Sequence, residues 1–171
     1  KHPGRDYAGQ RHIIRIGINN IDNHIDYNLP KLIEEKLSRQ YLPQRSAAGH
    51  KGTFGNCQVI AGTTSFTGAA YLAGKAAYRA GCGLVSVATL EAVQQRLAGQ
   101  MIEAVWTILP ESTSGYDPEG VEMLSEKLYE ADSLIIGPGF GLADSTRDFI
   151  HKLMKEVPPE CPVLIDADGL K

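Results

Sequence analysis

The hydrophobic pattern changes period twice between His50 and Thr89. Asn56 to Ala61 reads as a short strand, Ala69 to Ala80 is a small-residue stretch at helical spacing, and Leu84 to Ala88 is strand-like again. Gly62 and Gly68 bracket the turn between the first strand and the helix, and Gly81 stops the helix. Alternation continues downstream. Leu90 to Gln100 reads as a helix, and Glu103 to Leu109 as a strand whose bulk is Val105, Trp106 and Ile108. PESTSGYDP, residues 110–118, is a loop by its turn residues. Glu119 to Glu130 is a helix with Val121, Leu124 and Leu128 on one side. Ser133 to Ile136 is a buried strand, Gly137 to Ala143 a glycine loop, and Asp144 caps a helix to about Glu156. Pro162 to Ile165 is a last strand before DADGLK.

Strands such as SLII and PVLI are apolar throughout rather than alternating, which places them in a sheet covered on both faces. Strand and helix in alternation imply parallel strands joined by right-handed crossovers. The expected fold is therefore a three-layer α/β/α sandwich with a mainly parallel sheet. Ligands of such sheets lie at the carboxyl ends of the strands. Three loops fall there: Gly62 to Gly68, Gly137 to Gly141, and Asp166 to Gly169.

Upstream, the pattern is poorer. Ile13 to Ile18 is one strand-length apolar run, and the Asn- and Asp-rich stretch after it reads as loop. Asn28, Pro30, Glu34 and Glu35 resemble a helix start, Leu32, Ile33 and Leu37 supply an apolar side, and Pro43 ends it. A domain boundary is expected near residue 29, with residues 1–28 a terminal strand and linker. The chain starts without Met and stops just after a strand, so a fragment is expected.

Composition narrows the function classes. With 17 Lys and Arg against 20 Asp and Glu, the net charge is −3, and no dense basic run is present. That gives no electrostatic case for nucleic acid. No apolar run is long enough to span a membrane, and the polar N-terminus is no signal peptide. Cys57, Cys82 and Cys161 are odd in number and never paired as C-x-x-C, which indicates reduced core thiols in a cytoplasmic protein. The histidines show no ligand spacing, and His50 and His151 are read as structural.

The candidate chemistry lies in the loops. Gly62 to Gly68 carries Thr63, Thr64, Ser65 and Thr67, so it can form a ligand cradle from hydroxyls, backbone N–H groups and a helix start. The same glycines and alanines could instead serve only to lay a helix close on the sheet. GPGFG at 137–141 is not a dinucleotide fingerprint, because Leu142 stands where the third glycine belongs, but it exposes backbone N–H groups. No phosphate-binding P-loop is present; Lys75 reads as a solvated helix residue, and Lys51 as a lead-in to the first strand. Asp166 and Asp168 end a strand, where they could hold Mg²⁺ through water, accept bonds from hydroxyls, or cap a turn.

HKGTFG, TGAAYLAGKAAYRAGCGLVSVAT, LIIGPGFG and PVLIDADGL, in that order, closely resemble the NAD(P)H-hydrate dehydratases of the ribokinase-like superfamily, over about Tyr41 to Lys171. Residues 1–28 resemble the tail of an NAD(P)H-hydrate epimerase domain, so that 29–171 would be the first portion of the dehydratase domain, its C-terminal part missing. The resemblance implies dehydration of (6S)-NAD(P)H hydrate with ADP or ATP as co-substrate and Mg²⁺ screening the phosphates. It further implies a cytoplasmic homo-oligomer. Ala69, with its neighbour Gly68, and Gly139 or Gly141 would contact the hydrated nucleotide, and Asp166 and Asp168 would line the same cleft. The family's catalytic base and nucleotide segment have no counterpart here, so this chain would carry the substrate half of the site and be inactive alone. The rival readings are a vitamin or sugar kinase of the same superfamily and a non-catalytic nucleotide-binding or assembly module.

Overall fold

The computed structural model describes residues 7–10, 12, 14, 33–42, 45–113 and 115–171. Of the strand expected over Ile13 to Ile18, Ile14 alone is among them, exposed and assigned to no strand; the helix start at Asn28 and the boundary near residue 29 lie outside them. Contacts divide the chain into two units, Lys1–Gln44 and Arg45–Lys171. In the first, helix α1 (Glu35–Tyr41) buries no residue and carries an exposed Arg39–Glu35 ion pair at 2.6 Å. Ile33, expected on an apolar side, is exposed and not part of this helix.

The second unit is the sandwich. Its strands are β1 (Asn56–Ile60), β2 (Leu84–Leu90), β3 (Val105–Leu109), β4 (Ser133–Ile136) and β5 (Val163–Ile165). They form one five-stranded sheet in the order β3-β2-β1-β4-β5, every pair parallel. Helices α2 (Thr67–Ala80) and α3 (Glu91–Leu97) connect the strands that run outward from β1 through β2 to β3. The chain then returns past β1, and helices α4 (Ser125–Tyr129) and α5 (Asp144–Glu156) belong to the opposite half of the sheet. Right-handed crossovers in opposite directions put the two helix sets on opposite faces. The core agrees with coverage on both sides: Val59, Ile60, Val85, Val87 and Ala88 are fully buried.

Local chemistry explains most boundaries. Gly81 ends α2 in the left-handed region, φ 109°, with its N–H shared between the Ala77 and Tyr78 carbonyls. Three expectations are corrected. The single helix expected over Glu119 to Glu130 is a 3₁₀ segment, Pro118–Leu124, followed by the short α4; Asp117 caps it through Glu119 N–H at 2.9 Å, and Gly120 is pressed against the Pro110 ring. Asp144 is the first residue of α5 rather than its cap; Ala143 holds the cap position, and Asp144 pairs with Arg147 at 3.0 Å. β5 lies at the edge of this sheet, so Leu164 is 55% exposed despite the unbroken apolar run. Cys57, Cys82 and Cys161 are free thiols, and burial pushes Cys57 up from the usual thiol range.

HKGTFG lies at the amino ends of the strands. His50 Nδ1 accepts the Gly52 N–H at 3.1 Å and Thr53 Oγ1 accepts the His50 N–H at 3.3 Å, a reciprocal cap for the 3₁₀ turn Lys51–Phe54. Gly83 lies so close to this turn that a Cβ there would stand 1.7 Å from the Lys51 carbonyl oxygen. Gly83→Ala is therefore expected to cost about 1–3 kcal/mol in chemical denaturation. Gly99→Ala, where a Cβ meets nothing within 4 Å, should stay within about 0.5 kcal/mol of wild type.

Candidate functional site

β1 and β4 are neighbours whose following segments turn to opposite faces, so the crevice between their carboxyl ends is the topological switch point of the sheet. The loops after these two strands are the two glycine loops. Their backbones meet directly: Gly137 N–H donates to the Ile60 carbonyl at 3.2 Å, and Gly62 N–H to the Pro138 carbonyl at 2.8 Å. The loop after β5 joins them. Asp166 N–H donates to the Ile136 carbonyl at 3.1 Å, and Gly141 N–H donates to Asp168 Oδ2 at 3.1 Å.

Of the six candidate residues, four pair across loops. A Cβ at Gly139, where φ is 71°, would stand 2.7 Å from Ala69 Cβ and 2.9 Å from the Phe66 carbonyl oxygen. Ala69 and Gly139 are thus in contact, and Gly141 is bound to Asp168. Asp168 also accepts from Lys171 Nζ at 3.2 Å, and its side chain is 18% exposed. The other two stand apart. Gly68 is exposed in the first turn of α2, with nothing within 4 Å of a Cβ there. The Asp166 carboxylate is exposed and has no hydrogen bond among the described residues.

A cleft of about 440 Å³ opens beside Gly141 and Asp168 and is walled by Leu142, Arg147, His151 and Lys171. Ala69 and Gly139 do not line it. His151, read from sequence as structural, and Arg147 lie one helical turn apart on α5 and bring an imidazole and a guanidinium to this wall. Among the described residues no group of three His, Cys, Asp or Glu could hold a metal ion, and Asp168 is already engaged. The residues do not fit a protein-caged Mg²⁺, and no step below passes through one.

Sequence reasoning missed Tyr116. It lies within the loop that turn residues predict over 110–118, yet its side chain is completely buried. The hydroxyl donates to the Ala61 carbonyl at 3.0 Å and lies against the Gly62 carbonyl, while Thr89 Oγ1 donates to the Ala61 carbonyl at 2.8 Å. Its ring packs on Phe140 of GPGFG (4.7 Å between centroids) and on Phe149 of α5 (5.1 Å). One side chain therefore touches both glycine loops. Burial drives its hydroxyl pKa well above the ordinary tyrosine value. The one signal was an aromatic residue inside an otherwise polar turn.

A family model described as NAD(P)H-hydrate dehydratase matches residues 57–171. The bifunctional NAD(P)H-hydrate repair enzyme Nnr of Moorella thermoacetica is 35% identical over 169 residues, 98% of this chain and 32% of that protein. The ADP-dependent (S)-NAD(P)H-hydrate dehydratase of Bacillus subtilis is 34% identical over 145 residues, 84% of this chain and 48% of that one. A Bacillus subtilis ADP/ATP-dependent NAD(P)H-hydrate dehydratase co-crystallised with ATP/Mg²⁺ superposes with a TM-score of 0.62 at 28% identity, covering 85% of this chain and 48% of that one. A ribokinase-like superfamily protein of Enterococcus faecalis, at 22% identity and a TM-score of 0.69, shares the fold over 81% of this chain and 45% of its own. The chain thus spans about a third to about a half of the length of these relatives.

Two outcomes follow from the geometry. Gly139→Ala forces a side chain between the loops at positive φ and should cost about 2 kcal/mol or more, whereas Gly68→Ala, in open space at a helix start, should be neutral or slightly stabilising in the same denaturation experiment. The folded pKa of Tyr116 is raised above its unfolded value near 10, so its contribution is full below pH 10 and is lost as pH rises further. Stability should fall above that pH by up to about 1.4 kcal/mol per unit, and Tyr116→Phe should remove this part of the slope.

Proposed function

The chain belongs to the NAD(P)H-hydrate dehydratase family, and from that premise we propose that it carries the substrate-binding half of a nucleotide-dependent enzyme that returns (6S)-NAD(P)H hydrate to NAD(P)H. The observation that carries this reading is the meeting of the three loops at the switch point, where sheets of this type take their ligands.

The chemistry explains why a nucleotide is needed. Hydroxide at C6 of the hydrated nicotinamide ring is a poor leaving group. Transfer of the terminal phosphoryl group of ADP or ATP to that oxygen makes it phosphate, and the lone pair of the ring nitrogen then expels it. Loss of a proton from C5 restores the dihydronicotinamide, and the hydrate's oxygen leaves in the phosphate. The described residues would bind and orient the substrate. Ala69 and Gly139 offer a surface without side-chain bulk, and Gly68 widens it. Gly141 and Asp168, with the exposed Asp166 beside them, offer polar atoms to ribose or amide groups. Mg²⁺ enters this reading only as the counter-ion brought by the nucleotide's phosphates.

Residues 1–28 would belong to a preceding epimerase-like segment and 29–171 to the dehydratase domain, a division supported by similarity to a bifunctional relative along 98% of the chain. A cytoplasmic homo-oligomer is part of the same reading. No helix among the described residues is long and apolar enough to cross a membrane.

Titration calorimetry with (6S)-NADPH hydrate and with NADPH tests the proposal. The hydrate is expected to bind at least about tenfold more tightly, a difference of about 1.4 kcal/mol. Equal affinity for both, or a stable phosphorylated vitamin or sugar after incubation with ADP or ATP, would overturn it.

A further inference from the structure

Two consecutive carbonyls, those of Ala61 and Gly62, point into the protein at the floor of the switch-point crevice, and one buried hydroxyl meets both. In a trans peptide the C=O and the following N–H point in opposite directions. The rule is visible one residue earlier: the Ala61 carbonyl turns inward to Tyr116 and Thr89, and the Gly62 N–H turns the other way, to Pro138 at 2.8 Å. We propose that Tyr116 is a positioning residue for the cradle: by holding the Gly62 carbonyl inward it turns the Thr63 N–H outward into the crevice, ready to donate to an anionic or hydroxyl oxygen of the nucleotide. The inference rests on the functional reading above and deepens it.

Three observations support the assignment. Among the described residues the Thr63 N–H has no acceptor, while the neighbouring Gly62 N–H does. Tyr116 is itself fixed: its backbone N–H donates to Thr146 Oγ1 of α5 at 3.2 Å, and a bridge between Glu111 and Tyr116 closes the hairpin that carries it. Its ring is wedged between Phe140 and Phe149, so the hydroxyl cannot swing away without moving the GPGFG loop. A tyrosine needed only to fill the core would do as well as phenylalanine. Here, among the described residues, the fully buried hydroxyl has no partners but loop carbonyls and Thr89.

The test compares wild type, Tyr116→Phe and Leu153→Val by thermal melting, by nitrogen-15 NMR of the Gly62 and Thr63 amides, and by calorimetry with (6S)-NADPH hydrate. Tyr116→Phe keeps the ring and should melt a few degrees lower, shift the Thr63 amide and speed its exchange, and weaken hydrate binding about tenfold. Leu153, fully buried on α5 and outside the Tyr116 aromatic cluster, supplies the control for lost stability alone. Leu153→Val should lower the melting temperature yet leave the Thr63 amide and the hydrate affinity within twofold of wild type. Unchanged Thr63 signals in Tyr116→Phe, or the same changes in Leu153→Val, would overturn the proposal. If wild type binds no hydrate, the functional reading fails while the amide comparison still decides the role of Tyr116. Should Tyr116→Phe not fold, the wild-type Thr63 amide decides: a shift of its signal on adding the hydrate supports the proposal, and an unmoved signal at saturating hydrate overturns it.

Discussion

The hydrogen bond from the Gly62 N–H to the Pro138 carbonyl, 2.8 Å long, extends the β1–β4 ladder beyond the last paired strand residues, Ile60 and Ile136. Its place matters more than its strength, since one such bond contributes only about 1 kcal/mol net. Past this point the two chains leave for opposite faces of the sheet, and a gap must open between them. The bond sets how far apart the walls of that gap begin. Asp166, tied by its N–H to the Ile136 carbonyl, sets a third wall from the next strand.

Walls that begin one peptide apart leave no space for side chains, and this explains the composition of the flanking segments. Ala70 Cβ lies 2.8 Å from where a Cβ on Gly62 would be, and Ala69 and Phe66 crowd the corresponding position of Gly139. Farther along α2, Gly74 faces Met101 and Val85 in the same manner. The small-residue stretch admitted two interpretations from sequence, a ligand cradle or a helix laid close on a sheet. The geometry makes them one: only a helix this close to the strands brings its first turn to the rim of the crevice.

The parts of the fold written in local pattern were legible. Apolar runs marked the strands, Gly81 marked the end of α2, and turn residues after strands put three loops at one edge. What escaped depends on who lies opposite. An apolar run reads alike in the middle of a sheet and at its margin, so Leu164 gave no sign of its exposure. Helical spacing does not separate an α-helix from the tighter 3₁₀ segment at Pro118–Leu124, which forms where Gly120 meets Pro110. Tyr116 escaped for the converse reason. Its neighbours in sequence are turn formers, and its partners, Ala61, Gly62, Phe140 and Phe149, are all distant in the chain.

The two ends of the sheet divide the labour, and the division bears on how a signature should be interpreted. At the amino ends, side chains close the backbone: Asp132 Oδ2 accepts the Asn56 N–H at 2.8 Å, Ser86 Oγ donates to Asn56 Oδ1 at 3.1 Å, His50 caps its turn, and the Arg45 guanidinium stacks 3.8 Å from the Phe54 ring centroid. HKGTFG, one of the four stretches that carry the family resemblance, belongs to this closed end. Its histidine and glycines are accounted for by capping and close contact, leaving Lys51 as a surface residue of the turn. At the carboxyl ends the loops bind one another through backbone, Gly62 N–H to Pro138 and Gly137 N–H to Ile60. A motif that identifies a family can therefore be held in place by packing alone, while the less distinctive glycines of GPGFG stand where a ligand would come.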